Sequence, residues 1–194
     1  MFQQIKTKLT RGARTLVPAG TVRRLVRGED GSAAVEFGLV AAPFLALLFA
    51  IIETSLVFFA GQTLETATAD ASRLILTGQA QSQSFTIDQF KSAVCARIFA
   101  LFDCQNGLQV DVRTYSSFAS TSTGKPIDQN GNLSLTPTFS PGGPGCIVVA
   151  RVMYQWPVYV SLLGLNLADM AGHKRLLMST AAFRNEPYGP TTSC

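Results

Sequence analysis

From Phe37 to Ala60 the chain reads FGLVAAPFLALLFAIIETSLVFFA, and Glu53 is the only ionisable side chain in those 24 positions. At ~1.5 Å per residue a helix of this length reaches about 36 Å, enough for a hydrocarbon core of roughly 30 Å with some tilt. A domain of ordinary size rarely surrounds so long an apolar helix on every side, so the segment predicts a membrane span rather than a core helix. Pro43 would kink a soluble helix but is better tolerated in a membrane helix.

The flanks give the orientation. Seven basic side chains precede the span (Lys6, Lys8, Arg11, Arg14, Arg23, Arg24, Arg27), and the next one after it is Arg73. The positive-inside rule then puts the N-terminus in the cytoplasm and residues beyond about 61 across the membrane. A removed secretory signal fits poorly. Its basic region would be too long and its apolar stretch too extended, and Phe58-Phe59-Ala60 places a bulky ring where a small residue belongs.

Composition narrows the body. The chain has 194 residues, 47% of them apolar and 14% charged. This excludes a disordered polyelectrolyte and a flexible linker. The net charge of +4 belongs to the leader, because residues 32–194 hold nine basic and ten acidic side chains. No nucleic-acid surface is expected on the body.

The junction before the span reads Arg27-Gly28-Glu29-Asp30-Gly31-Ser32-Ala33-Ala34-Val35-Glu36-Phe37. A carboxylate at the lip of a membrane helix either stays wet or needs a partner. Cutting after Gly31 would make Ser32 the new N-terminus and Glu36 the fifth mature residue. The new α-ammonium would lie one helical turn from Glu36. On a neighbouring subunit the same ammonium could neutralise this carboxylate inside an apolar bundle. Glu53 has two open readings of its own: an interfacial acid near the outer leaflet, or an intramembrane contact for a partner helix.

Here the sequence resembles type IV-like prepilins, and within them the TadE-like minor pseudopilins of Tad/Flp pilus systems. The resemblance rests on Gly31-Ser32-Ala33-Ala34-Val35-Glu36-Phe37, on Glu53, and on the Ala-rich run from Gln62 to Arg73. Val152 to Pro157 and Ala182 to Tyr188 add weaker support. The longer leader and a polar insert at 116–145 depart from it. The resemblance implies a pilin-like fold and a leader, residues 1–31, removed between Gly31 and Ser32 by a prepilin peptidase. Glu36 and Phe37 would serve processing and assembly. Implied partners are that peptidase, the major Flp-type pilin, other TadE/TadF-like pseudopilins and the inner-membrane assembly platform. The implied location is the bacterial inner membrane, single-pass, with the C-terminal domain periplasmic. Gly31 suits the cut because a residue without a side chain lets an extended backbone approach a protease cleft.

Beyond the span, residues 61–80 extend the helix. Leu64, Ala67, Ala71, Leu74 and Ile75 form an apolar stripe, and Gly78 is a stop. The N-terminal helix is thus expected over 32–80, with its transmembrane part at about 37–60. A second helix is expected from Thr86, a capping-box residue with Gln89, to about Phe102, with Phe90, Val94, Ile98 and Leu101 on one face. Strict alternation predicts a strand over Leu108–Tyr115. Residues 116–145 read as an exposed loop with little strand content. A second strand runs over Cys146–Tyr154, ended or moved to an edge by Trp156-Pro157. Val158 to Leu167 is a short apolar helix or hairpin arm near the bilayer. Lys174 to Phe183 is a third strand. The fold class is α+β: the second helix packed on a small antiparallel sheet within 81–194.

Four cysteines stand at 95, 104, 146 and 194. Outside the cytoplasm disulfides persist. The TadE-like resemblance favours Cys95 with Cys104, which would staple the second helix to the first strand. Cys146 with Cys194 is the leftover pairing, with a free or cross-linking Cys194 as the alternative. The spacings and the single His173, in a polar turn, do not form a zinc site. No nucleophile elbow or phosphate loop is present, and Pro141 to Gly145 lacks the lysine a phosphate loop needs. No cofactor, metal or catalytic set is expected. The rival reading is a membrane-anchored binding or enzymatic domain behind a type IV-like leader.

Overall fold

The computed structural model describes residues 31–98, 102–159, 166–190 and 194. The leader ahead of Gly31 and most of the apolar segment after Val158 lie outside the described residues. The elements in order are α1 (Ser32–Leu76), α2 (Gln79–Ser82), α3 (Ile87–Cys95), β1 (Leu108–Tyr115), a short 3-10 helix (Phe118–Ser120), β2 (Ile147–Pro157) and β3 (Lys174–Arg184). This is an α+β arrangement with one antiparallel three-stranded sheet in the order β1-β2-β3. The chain divides into two units, residues 1–45 and 46–194.

In the first unit the described part of α1 is exposed on almost every side, including Val35, Phe37, Leu39, Val40 and Phe44. In the second unit the same helix buries one face. Val57, Ala60, Leu64, Ala67, Ala71 and Ile75 share a core with Val110, Val112, Val148, Ala150, Val152 and Leu177. Small residues on that face let the helix approach the sheet closely, and Thr68 answers its own hydroxyl on the carbonyl of Leu64 at 2.7 Å. The predicted stripe is therefore the buried one, except that Leu74 is half-buried.

Helix α1 stops at Leu76, four residues short of the expected end. Gly78 takes a φ of +78°, which an L side chain rarely adopts, and a Cβ there would lie 2.6 Å from the ring of Tyr188. The freed end is tied down elsewhere: Gln81 Nε2 donates to the carbonyls of Ile75, Pro141 and Gly142, and the Glu186 N–H donates to Leu76. Gly78→Ala should cost about 1–3 kcal/mol, combining a strained backbone with overpacking. A urea midpoint equal to that of the unaltered chain would reject this account.

Helix α3 begins as expected. Thr86 caps it and Gln89 closes the capping box. It ends at Cys95, earlier than the expected Phe102, where the disulfide to Cys104 turns the chain toward β1. Phe90 and Val94 are buried, Ile98 is half-buried, and Leu101 lies outside the described residues.

Strand β2 continues through Pro157 instead of ending at Tyr154. Its odd-numbered residues point their amides toward β1, but β1 begins opposite Tyr154, so the missing N–H of Pro157 forfeits no ladder bond. The second cysteine pair, Cys146–Cys194, is also bridged, with Cα atoms 5.6 Å apart.

The insert at 116–145 is not simply an exposed loop. Ile127, Leu133 and Leu135 lie against Met153, Met170 and Leu176 on the sheet face away from α1. Its last part runs alongside β1, where the Val112 N–H donates to Thr138 and the Ser140 N–H to Val112. Two hydrophobic faces of the sheet need covering, and the polar insert supplies the second cover through a few apolar residues.

Candidate functional site: the exposed N-terminal helix and its junction with the body

The structure starts α1 at Ser32, the residue immediately after Gly31. Ser32 Oγ donates to Glu36 Oε1 at 2.9 Å. Position 32 and the Glu36 carboxylate are therefore one turn apart on the same face. Both residues are exposed, and Phe37 beside them is 75% exposed. A carboxylate in the first turns also complements the positive end of the helix dipole.

After this junction the helix is apolar and uncovered as far as Phe49. Ser32 to Phe49 spans about 27 Å at 1.5 Å per residue. From Ala50 onward one face is buried while Ile51, Ile52, Leu56, Phe58 and Phe59 remain exposed on the other. By length and composition α1 is able to cross a membrane.

Glu53 meets a partner that its sequence neighbourhood does not indicate. Its side chain turns into the body of its own chain, 7% exposed, and Oε1 accepts the backbone N–H of Tyr159 at 3.2 Å. The junction thus joins the middle of α1 to the chain just after β2. Tyr159 itself is 81% exposed.

A charged cluster on the sheet was not legible from the sequence. Asp111 is fully buried and accepts from Arg151 Nη2 at 2.6 Å, Arg151 Nε at 3.1 Å, Arg113 Nε at 3.0 Å and the Thr138 N–H at 3.1 Å. Asp111 and Arg151 are direct register partners across β1 and β2. Alternation marked Asp111 and Arg113 as a polar face, but only the cross-strand register reveals Arg151 as partner. The arrangement clamps the insert to the sheet and holds no reacting geometry.

His173 is exposed in a turn with φ +55°. Among the described residues no group of three or more His, Cys, Asp or Glu side chains is placed to hold a metal.

Residues 31–73 match the family of TadE-like proteins. This segment is TadE-like. The match covers Gly31, the Ser32–Glu36 turn, the whole exposed apolar stretch, Glu53 and α1 as far as Arg73. Residues 74–194 lie beyond it. No curated protein and no solved structure matches the chain. The TadE-like segment associates the chain with Tad pilus systems.

Proposed function

We propose that this chain is a minor pseudopilin of a Tad/Flp-type pilus. It enters the inner membrane through α1 with its N-terminus in the cytoplasm and residues beyond about 61 in the periplasm. A prepilin peptidase removes residues 1–31. The mature helix then bundles with other pilin helices, and the body primes or adapts the filament. The reading is supported above all by the start of α1 at Ser32 with Glu36 one turn on, inside the TadE-like segment.

The chemistry of assembly follows from that turn. Cleavage converts a backbone amide into an α-ammonium beside a carboxylate, at the rim of an apolar helix. In a bundle, an ammonium from one copy and Glu36 from the next neutralise one another where either alone would be costly. The partners on this reading are the peptidase, the major Flp-type pilin, a further TadE/TadF-like pseudopilin and the inner-membrane platform.

N-terminal sequencing of the protein recovered from membranes tests it. The expected first residue is Ser32. A product starting after about residue 60, without the apolar helix, would overturn the reading. Glu36→Ala should abolish or sharply reduce pili seen by electron microscopy.

A further inference from the structure

Strand β3 has an open edge. The carbonyl of Lys174 accepts the N–H groups of Asp169 and Met170, and the Leu176 N–H donates to Asp169 Oδ1 at 2.7 Å. The even-numbered residues of β3 thus turn their backbone groups away from β2, as alternation requires. Past Leu176 the covering ends. Met178, Thr180 and Ala182 present their N–H and C=O groups to an edge with no neighbouring strand among the described residues.

That edge forms one wall of a groove whose other wall is α1. One hydroxyl in it, Ser72 Oγ, is buried without a hydrogen-bond partner, and Ser72 is 3% exposed. Buried hydroxyls of this kind normally have a partner. At the mouth lies the exposed Arg73, which none of the ion pairs among the described residues includes.

A second copy of the chain fits this edge poorly. Strand β3 runs in the same direction as α1: its first residues meet the helix near Thr54 and Val57, and the chain just after it donates from Glu186 to Leu76. A two-fold axis perpendicular to the sheet would pair two β3 edges with antiparallel helices, which insertion of both copies in one direction forbids. An axis along the strand keeps the helices parallel but sets each N–H opposite an identical N–H. The other sheet edge, β1, is already occupied at Val112 by Thr138 and Ser140.

We propose that the β3 edge and its groove receive an extended segment of a different chain anchored in the same membrane. That segment adds a fourth strand to the sheet by backbone pairing with Met178, Thr180 and Ala182. It carries a carboxylate for Arg73 and a hydroxyl or amide side chain for Ser72. The proposal rests on the membrane orientation given above.

The test replaces Ala182 with photoreactive p-benzoylphenylalanine in the full chain and irradiates intact cells. The expected product is one discrete adduct, whose mapped peptide is an extended, acid-bearing stretch of another membrane-anchored chain. Thr180→Pro removes an edge N–H without touching the β2 ladder and should lower the adduct at least tenfold. Arg73→Glu, an exposed helix substitution, should lower it similarly and carries the test if Thr180→Pro misfolds. An adduct between two copies, an adduct with lipid alone, no adduct, or an adduct that survives both substitutions would overturn the proposal. Sequencing the same material separates the failures: a Ser32 start with any of these outcomes rejects the edge site and leaves the pseudopilin reading standing.

Discussion

A Gly31→Trp precursor meeting its peptidase stays full length. The bond proposed to be cut lies where the chain passes from residue 31 into α1, and Gly31 is exposed there. A protease needs extended backbone lying flat in its cleft, and a missing side chain allows that approach. An indole at position 31 holds the backbone off. Cleavage should slow by at least about a hundredfold, roughly 2.7 kcal/mol at the transition state. An immunoblot of membranes reads the result directly, because the uncut chain keeps 31 extra residues. Gly31→Ala, with a far smaller side chain, should retain much of the processing. Normal shortening of the tryptophan variant in the presence of the peptidase would remove Gly31 from the cleavage site.

The second large effect concerns stability. Asp111→Ala should cost about 3–5 kcal/mol, because it leaves the Arg151 guanidinium buried without its counter-charge. Arg151 is only 5% exposed, so water cannot take over the lost contacts. The same change frees the Thr138 N–H and loosens the hold on the insert. Two measurements follow: a lower urea midpoint, and faster proteolysis within 116–137. A double Asp111→Leu, Arg151→Leu variant should recover much of the loss, since a well-packed apolar pair often matches a buried ion pair. A loss under about 1 kcal/mol for Asp111→Ala would mean that the cluster is better solvated than its geometry indicates.

Much of this architecture is legible in the residues because it is written in short-range patterns. The period of two over Leu108–Tyr115 needs no knowledge of the partner strand, and the Thr86–Gln89 capping box is local. The apolar run from Phe37 likewise marks a helix long and apolar enough to cross a membrane. What escapes is long-range. Asp111 and Arg151 are 40 residues apart in sequence and meet only once β1 and β2 are in register. Glu53 and Tyr159 are separated by 106 residues. The insert reads as exposed because it is mostly polar, yet three spaced apolar residues suffice to seat it on the sheet. Gly78 was legible as a stop, whereas the ring of Tyr188 over it was not. At the candidate site the Ser32–Glu36 turn follows from spacing alone, while the open edge of β3 depends on the final strand order.

The contact between Glu53 and the Tyr159 amide ties the middle of α1 to folded protein. Folded protein covers one face of the helix from Ala50 onward, so the stretch without such cover is the eighteen residues from Ser32 to Phe49. That length is close to the thin limit for a bilayer, at about 27 Å. On the proposed pilus reading, so short an uncovered stem leaves little slack for sliding along its own axis before Glu36 reaches the oily interior.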